Sequence, residues 1–287
     1  MLTQRQLFLQ HQAQTTDFPL SLEIEKAEGV YLFDVDGKKY IDLISGISVS
    51  NVGHRHPKVV AAIHNQLYKY MHLMVYGEYI QAPQVKLAQL LASILPESLN
   101  CSYFVNSGSE AIDGAVKLAK RYTGKTDVVS FRNSYHGSTQ GVLSLGGNEA
   151  LKNAFRPLIP GLHLLDFNAI DQLELLPKQH CACILVEPIQ GEAGVINANP
   201  DFLKALRAWC DDNGALLIFD EIQTGSGRTG KMFAFEHYGV IPDVLCIAKG
   251  MGGGMPIGAF IAAKKLMQVL THQPMLGHIT TFGGHPV

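Results

Sequence analysis

Charge is scarce in this chain. Only 17% of its 287 residues are Asp, Glu, Lys or Arg, and together they leave a net charge of -2. Without a basic excess, a nucleic-acid partner or an anionic membrane surface has little electrostatic support. No apolar run approaches the length of a membrane span. The opening residues, Met1 to Gln6, are rich in glutamine and carry neither the apolar segment nor the small-residue cleavage site of a secretory signal. Cysteines are few and odd in number, five in all, and three lie inside apolar runs where the thiol acts as a small hydrophobe. A reducing, cytoplasmic location is the expectation. What the chain has in quantity is apolar residues, 47% of the total, enough for an ample core that needs no staples. Small molecules are the ligands this composition favours.

The N-terminal part reads as an arm. Val30 to Phe33 and Tyr40 to Ile44 flank the turn Asp36-Gly37 in the manner of a hairpin. The stretch Gly53-His54-Arg55-His56-Pro57 follows, and Pro57 suits the first turn of a helix with Val59, Val60, Ile63 and Leu67 on one side. His54 and His56 have no acidic or cysteine partner at metal-ligand spacing, so they are read as loop residues and no metal site is expected. From Tyr103 onward strand and helix patterns alternate. That alternation predicts an α/β fold with helices on both faces of a mostly parallel sheet.

Ligands of such sheets gather at the carboxyl ends of the strands, and the predicted strand ends carry chemistry. After Tyr103 to Val105 comes Ser107-Gly108-Ser109, where either serine could cap a helix whose bare N–H groups would take an anion. After Val128 to Phe131 comes Tyr135-His136-Gly137, an aromatic ring able to cover a flat ligand. Ala182 to Val186 runs directly into Glu187, and Ala215 to Phe219 into Asp220. Carboxylates so placed need a partner, and a protonated ring nitrogen would serve for Asp220. Val244 to Ala248 ends on Lys249, followed by glycine. Held where water is scarce, a lysine loses its proton more easily and becomes a nucleophilic amine.

Two nucleotide motifs fail. Gly225 to Gly230 fits G-x-G-x-x-G, and Gly225 to Lys231 fits most of a P-loop. Met232 stands where the magnesium-binding serine or threonine belongs, and neither motif directly follows a strand and opens a helix. An anion cup, an aromatic plate, a carboxylate and a nucleophilic lysine instead match pyridoxal 5'-phosphate (PLP): its phosphate, ring face, ring nitrogen and aldehyde.

The sequence also resembles the class III pyridoxal-phosphate-dependent aminotransferases, which include acetylornithine, ornithine and 4-aminobutyrate aminotransferases. The resemblance rests on Asp34-Val35-Asp36-Gly37, Gly53 to Pro57, Ser107 to Ala111, Glu187 to Glu192, Asp220 to Gly225 and Ala248-Lys249-Gly250. It implies the large domain of fold type I transferases, a three-layer α/β/α arrangement. It also implies Lys249 as the Schiff-base residue and Asp220 as the partner of the pyridine nitrogen. By the same resemblance Tyr135 stacks on the ring beside His136 and Gly137, Gln223 meets the phenolic oxygen, and Ser107, Gly108 and Ser109 hold the phosphate. Thr280 and Thr281 match a segment that reaches the neighbouring subunit's phosphate, which implies a homodimer with shared sites. Glu187 matches a glutamate gate in members that use 2-oxoglutarate.

The implied reaction moves the terminal amino group of an omega-amino acid to 2-oxoglutarate. An aminomutase of the glutamate-1-semialdehyde type and a non-catalytic PLP-binding protein are the alternatives. Ser138 stands where the named enzymes usually carry a carboxylate-binding arginine, which leaves that role to another residue such as Arg132, or implies a different donor. Residues 1–56 are expected to form the arm and part of a small domain, and 57–287 the PLP-binding large domain. Members of the family run roughly a hundred residues further, the length of a small domain. That C-terminal domain, with the arginine for the substrate's alpha-carboxylate, is expected to be absent here, leaving apolar surface uncovered and little activity.

Overall fold

The computed structural model describes residues 2–287. The N-terminal part forms its own antiparallel sheet of β1 (Ile24–Glu28), β2 (Tyr31–Asp34) and β3 (Lys39–Ile41). Asp34 organises the β2–β3 turn: its Oδ1 accepts from Lys38 N at 2.8 Å and its Oδ2 from the Tyr40 hydroxyl at 2.8 Å. The expected hairpin is present, and β1 adds a strand that the sequence pattern did not announce.

The main sheet has seven strands. They are β4 (Cys101–Val105), β5 (Asp127–Phe131), β6 (Leu162–Leu165), β7 (Cys181–Val186), β10 (Leu216–Asp220), β11 (Val244–Ile247) and β12 (Gly258–Ala262), in the order β4-β12-β11-β10-β7-β5-β6. A short pair, β8 (Ile189–Gln190) and β9 (Ile196–Asn197), stands apart from it. β12 alone runs against its neighbours, antiparallel to both β11 and β4. The α/β expectation holds, with this one reversal. Its cause is local: the chain turns back through Lys249–Gly252 and further glycine without a crossover helix, so the next strand returns alongside β11.

Helices cover both faces. Gly108–Thr123 packs Ala111, Ile112, Ala115 and Leu118 on one face, all fully buried. A Cβ at Gly114 would collide with the Phe260 ring of β12, so glycine is what lets helix and sheet touch. Pro200–Asn213 covers the opposite face with Phe202, Leu203, Leu206 and Trp209, against Phe131 and Phe219. Each such side chain contributes about 1.5–3 kcal/mol by leaving water. Both helices are stopped by left-handed glycines, Gly124 (φ 69°) and Gly214 (φ 56°). Among the described residues no helix is long and apolar enough to cross a membrane.

The helix Pro57–Leu67 begins with its proline as expected, yet Leu67 and the adjoining Tyr68 stand exposed. Leu43, Ile44, Met71 and Ile80 do likewise, Ile80 being 96% exposed. These apolar side chains of the N-terminal half stand without cover, although others, such as Val75 and Leu91, are buried.

Candidate active site

The carboxyl ends of β4, β5, β7, β10 and β11 converge on one cavity of about 460 Å³. Ser107, Gly108 and Ser109 line it from the end of β4, and Tyr135, His136 and Gly137 from β5. Glu187, Asp220, Gln223 and Lys249 complete the set singled out in the sequence. Thr280 and Thr281 lie outside this cavity. Thr280 accepts a hydrogen bond from Asn106 Nδ2 at 3.0 Å, and Thr281 is exposed.

Ser107 is the cap of the first helix: its Oγ accepts from Glu110 N at 3.2 Å. Glu110 turns back to take Asn106 N at 2.7 Å. The N–H groups of Gly108 and Ser109 lie in the first turn, where the helix offers no acceptor. Gly137, at φ +139°, sits so close that a Cβ there would collide with Ser109 Oγ, and a Cβ at Gly108 would meet the Ile222 side chain at 2.8 Å. Glycine thus keeps this corner open for a group that seeks backbone N–H donors.

Asp220 is buried and both its oxygens are engaged. Oδ2 pairs with His136 Nδ1 at 2.7 Å and Oδ1 accepts from Ile222 N at 3.0 Å. His136 is buried too, with Ser130 Oγ 3.4 Å from its other nitrogen. Burial pulls the His136 pKa down, but the hydrogen bond and charge of Asp220, with the charge of Glu187, outweigh it and leave the pKa raised. The partner of Asp220 in this chain is therefore a histidine that the sequence placed merely beside the ring plate. It stabilises the carboxylate and orients it.

Glu187 is buried without a cationic partner in hydrogen-bond contact. Its Oε2 accepts from Tyr135 N at 3.2 Å and its Oε1 from Gly191 N at 3.4 Å. Burial pushes its pKa up to about 7, against the opposing pull of His136. With both oxygens on backbone N–H groups, Glu187 holds the plate loop in place. The carboxylate on that wall that stays exposed is Glu192, a cavity residue given no role from sequence although it closes the motif that Glu187 opens. Gln223 Nε2 lies 3.5 Å from its Oε1.

Lys249 is half-buried, and its backbone adopts φ +43°, a strained conformation for a residue with a side chain. The ion pairs among the described residues leave its Nζ unengaged. The Tyr135 hydroxyl meets Ser138 Oγ at 3.0 Å. Arg132 does not reach the cavity: its Nε pairs with Asp166 at 2.9 Å and both side chains are more than half exposed. His54 pairs with Asp42 at 2.7 Å, a contact that spacing alone did not suggest. Among the described residues no cluster of potential metal ligands was found.

An open parallel-sheet end with a free lysine, a buried carboxylate and an open anion corner defines the site of a fold type I transferase. The chain belongs to the class-III aminotransferases, whose family pattern it matches over residues 12–287. It is 43% identical over 274 residues to the acetylornithine aminotransferase of Methanocaldococcus jannaschii, covering 93% of this chain and 67% of that protein. It is 45% identical over 267 residues to the putrescine aminotransferase of Pectobacterium atrosepticum, covering 89% of this chain and 56% of that protein. An amine transaminase from an uncultivated Pseudomonas species, solved in its PLP-bound form, superposes with a TM-score of 0.87 at 32% identity, over 96% of this chain and 70% of that one. The chain thus spans between about half and two thirds of the length of these relatives.

Proposed function

We propose that this chain carries the pyridoxal-phosphate site of an aminotransferase that takes the terminal amino group of an omega-amino acid or related amine and passes it to 2-oxoglutarate. The observation that carries the reading is the meeting of Lys249, Asp220 with its histidine, and the open Gly108–Ser109 corner in one cavity. The N–H groups and hydroxyls of Ser107, Gly108 and Ser109 would hold the phosphate, Tyr135 the ring face, Gln223 the phenolic oxygen and Asp220 the ring nitrogen. When bound, pyridoxal phosphate supplies an electrophilic carbon and an electron sink. Lys249 Nζ, free of competing ion pairs, would hold and move a proton beside the bound group. His136 keeps the Asp220 carboxylate aimed through the bond to its Oδ2. Glu187 fixes Tyr135, and Glu192 is the acidic group available to a substrate.

The reading includes a homodimer. Leu43, Ile44, Tyr68 and Ile80 are exposed apolar side chains of the kind that a second copy covers, and Thr280 and Thr281, outside their own chain's cavity, would serve a neighbour's phosphate. Residues 1–56 would form the arm and part of a small domain, and residues 57–287 the cofactor-binding large domain.

The test is the visible spectrum of purified protein titrated with pyridoxal phosphate. A band that forms, moves on addition of an amine donor and disappears in Lys249→Ala supports the reading; a protein that stays colourless defeats it. Ornithine, acetylornithine, 4-aminobutyrate and putrescine, each with and without 2-oxoglutarate, then identify donor and acceptor. Turnover without any oxo acid would point to an aminomutase instead.

A further inference from the structure

We infer that Asn51 is a positioning residue for Lys249, acting as a clasp that holds the strained lysine turn from outside the main sheet. The inference rests on the cofactor reading above. Asn51 lies in the segment that leads from the N-terminal sheet to the helix Pro57–Leu67. Its Nδ2 donates to Ser226 O at 2.9 Å, and its Oδ1 accepts from Arg228 Nη2. Both partners belong to the loop that follows Asp220 and Gln223. The same carboxamide lies directly over Gly250, so close that a Cβ at Gly250 would collide with its nitrogen and carbon.

Asn51 therefore joins its own segment, the Ser226–Arg228 loop and the residue that follows Lys249. Its position matters because of the backbone beneath it. Lys249 sits at φ +43°, and a strained turn persists only where its surroundings over-determine it. Met251 N bonds back to Ala248 O at 3.0 Å within the turn. From outside, the carboxamide caps Gly250 and is itself fixed by two hydrogen bonds to the loop. Val49, two residues earlier, lines the cavity, so the segment that bears the clasp also forms part of the wall. Loss of the clasp frees the turn to relax, and Lys249 Nζ moves with it.

The test compares wild type, Asn51→Ala and Gly250→Ala. Pyridoxal phosphate affinity and the pH midpoint of the visible band are measured by absorbance titration, and folding by thermal unfolding. Both variants are expected to bind about tenfold more weakly, the loss produced when about 1.4 kcal/mol is removed, with a shifted midpoint and a cooperative unfolding transition retained. Gly250→Ala displaces the carboxamide without changing Asn51, so it decides the matter if Asn51→Ala fails to fold. Wild-type affinity and an unmoved midpoint in the folded variants would overturn the inference. A second arm needs no cofactor: trypsin cleavage after Arg228 is expected to quicken in Asn51→Ala, and cleavage at the wild-type rate would count against the clasp. If wild type itself takes up no pyridoxal phosphate, the functional reading falls, and the trypsin arm still judges the contact.

Discussion

Replacing Glu221 by glutamine should destabilise the protein in mild acid and much less above neutrality. Glu221 follows Asp220 directly and is 1% exposed. Its Oε2 accepts from Ala234 N at 2.5 Å and its Oε1 from Phe235 N at 2.8 Å, while the Thr224 hydroxyl donates to Oε2 at 3.2 Å. These bonds tie down the far end of the loop that carries Gln223. A carboxyl group, even protonated, keeps an acceptor lone pair on each oxygen; glutamine turns one oxygen into an NH2 group that faces a backbone N–H. Leaving that buried donor unpaired costs about 1–3 kcal/mol.

Burial lifts the Glu221 pKa from 4.5 to about 7, so the native state binds more protons than the unfolded chain between those values. Stability from this group is complete below about 4.5 and is lost as pH rises through about 7. At 1.36 kcal/mol for each pH unit between the two values, the loss approaches about 3 kcal/mol in wild type. Glutamine does not titrate, and all other groups are common to both proteins. Urea unfolding at pH 5 and pH 8 should therefore show the Glu221→Gln deficit shrinking or reversing at the higher pH. A deficit of equal size at both pH values would refute the reasoning.

Further outcomes follow from the same geometry. His136→Leu leaves the buried Asp220 carboxylate without its main partner, which should cost about 3–5 kcal/mol of stability and be seen as a lowered unfolding midpoint. Gly137→Ala puts a methyl group into Ser109 Oγ at a φ that disfavours side chains, so calorimetry should register markedly weaker pyridoxal phosphate binding. Glu187, lifted by burial to about 7, should contribute a titration near neutrality to the visible band, and Glu187→Gln should remove it. Ser138→Ala removes only a partly exposed hydroxyl contact with Tyr135 and should alter stability by less than about 1 kcal/mol.

Much of the site was legible because each reacting group ends an apolar run. Lys249 after Val244–Ile247 and Asp220 at the end of β10 announce themselves as polar residues that leave a buried strand. Alternation along a strand could also have separated Asp220 from Glu221, since neighbours point to opposite faces: one turns to the cavity, the other to the loop. The reversal of β12 was not legible, because Gly258–Ala262 is apolar throughout and such a run carries no direction. The pairing of His136 with Asp220 spans 84 positions, and the Asn51 contacts with Ser226 and Arg228 still more, distances over which local pattern is silent. Ser107 and Ser109 were equivalent on paper until the helix start chose Ser107.

The central claim is that Lys249 forms the covalent link to pyridoxal phosphate. Reducing the loaded protein with borohydride fixes that link irreversibly, and peptide mass spectrometry locates it. The account predicts a phosphopyridoxyl group on the peptide that contains Lys249 and none in Lys249→Ala; a label on another lysine, or no label in wild type, would contradict it.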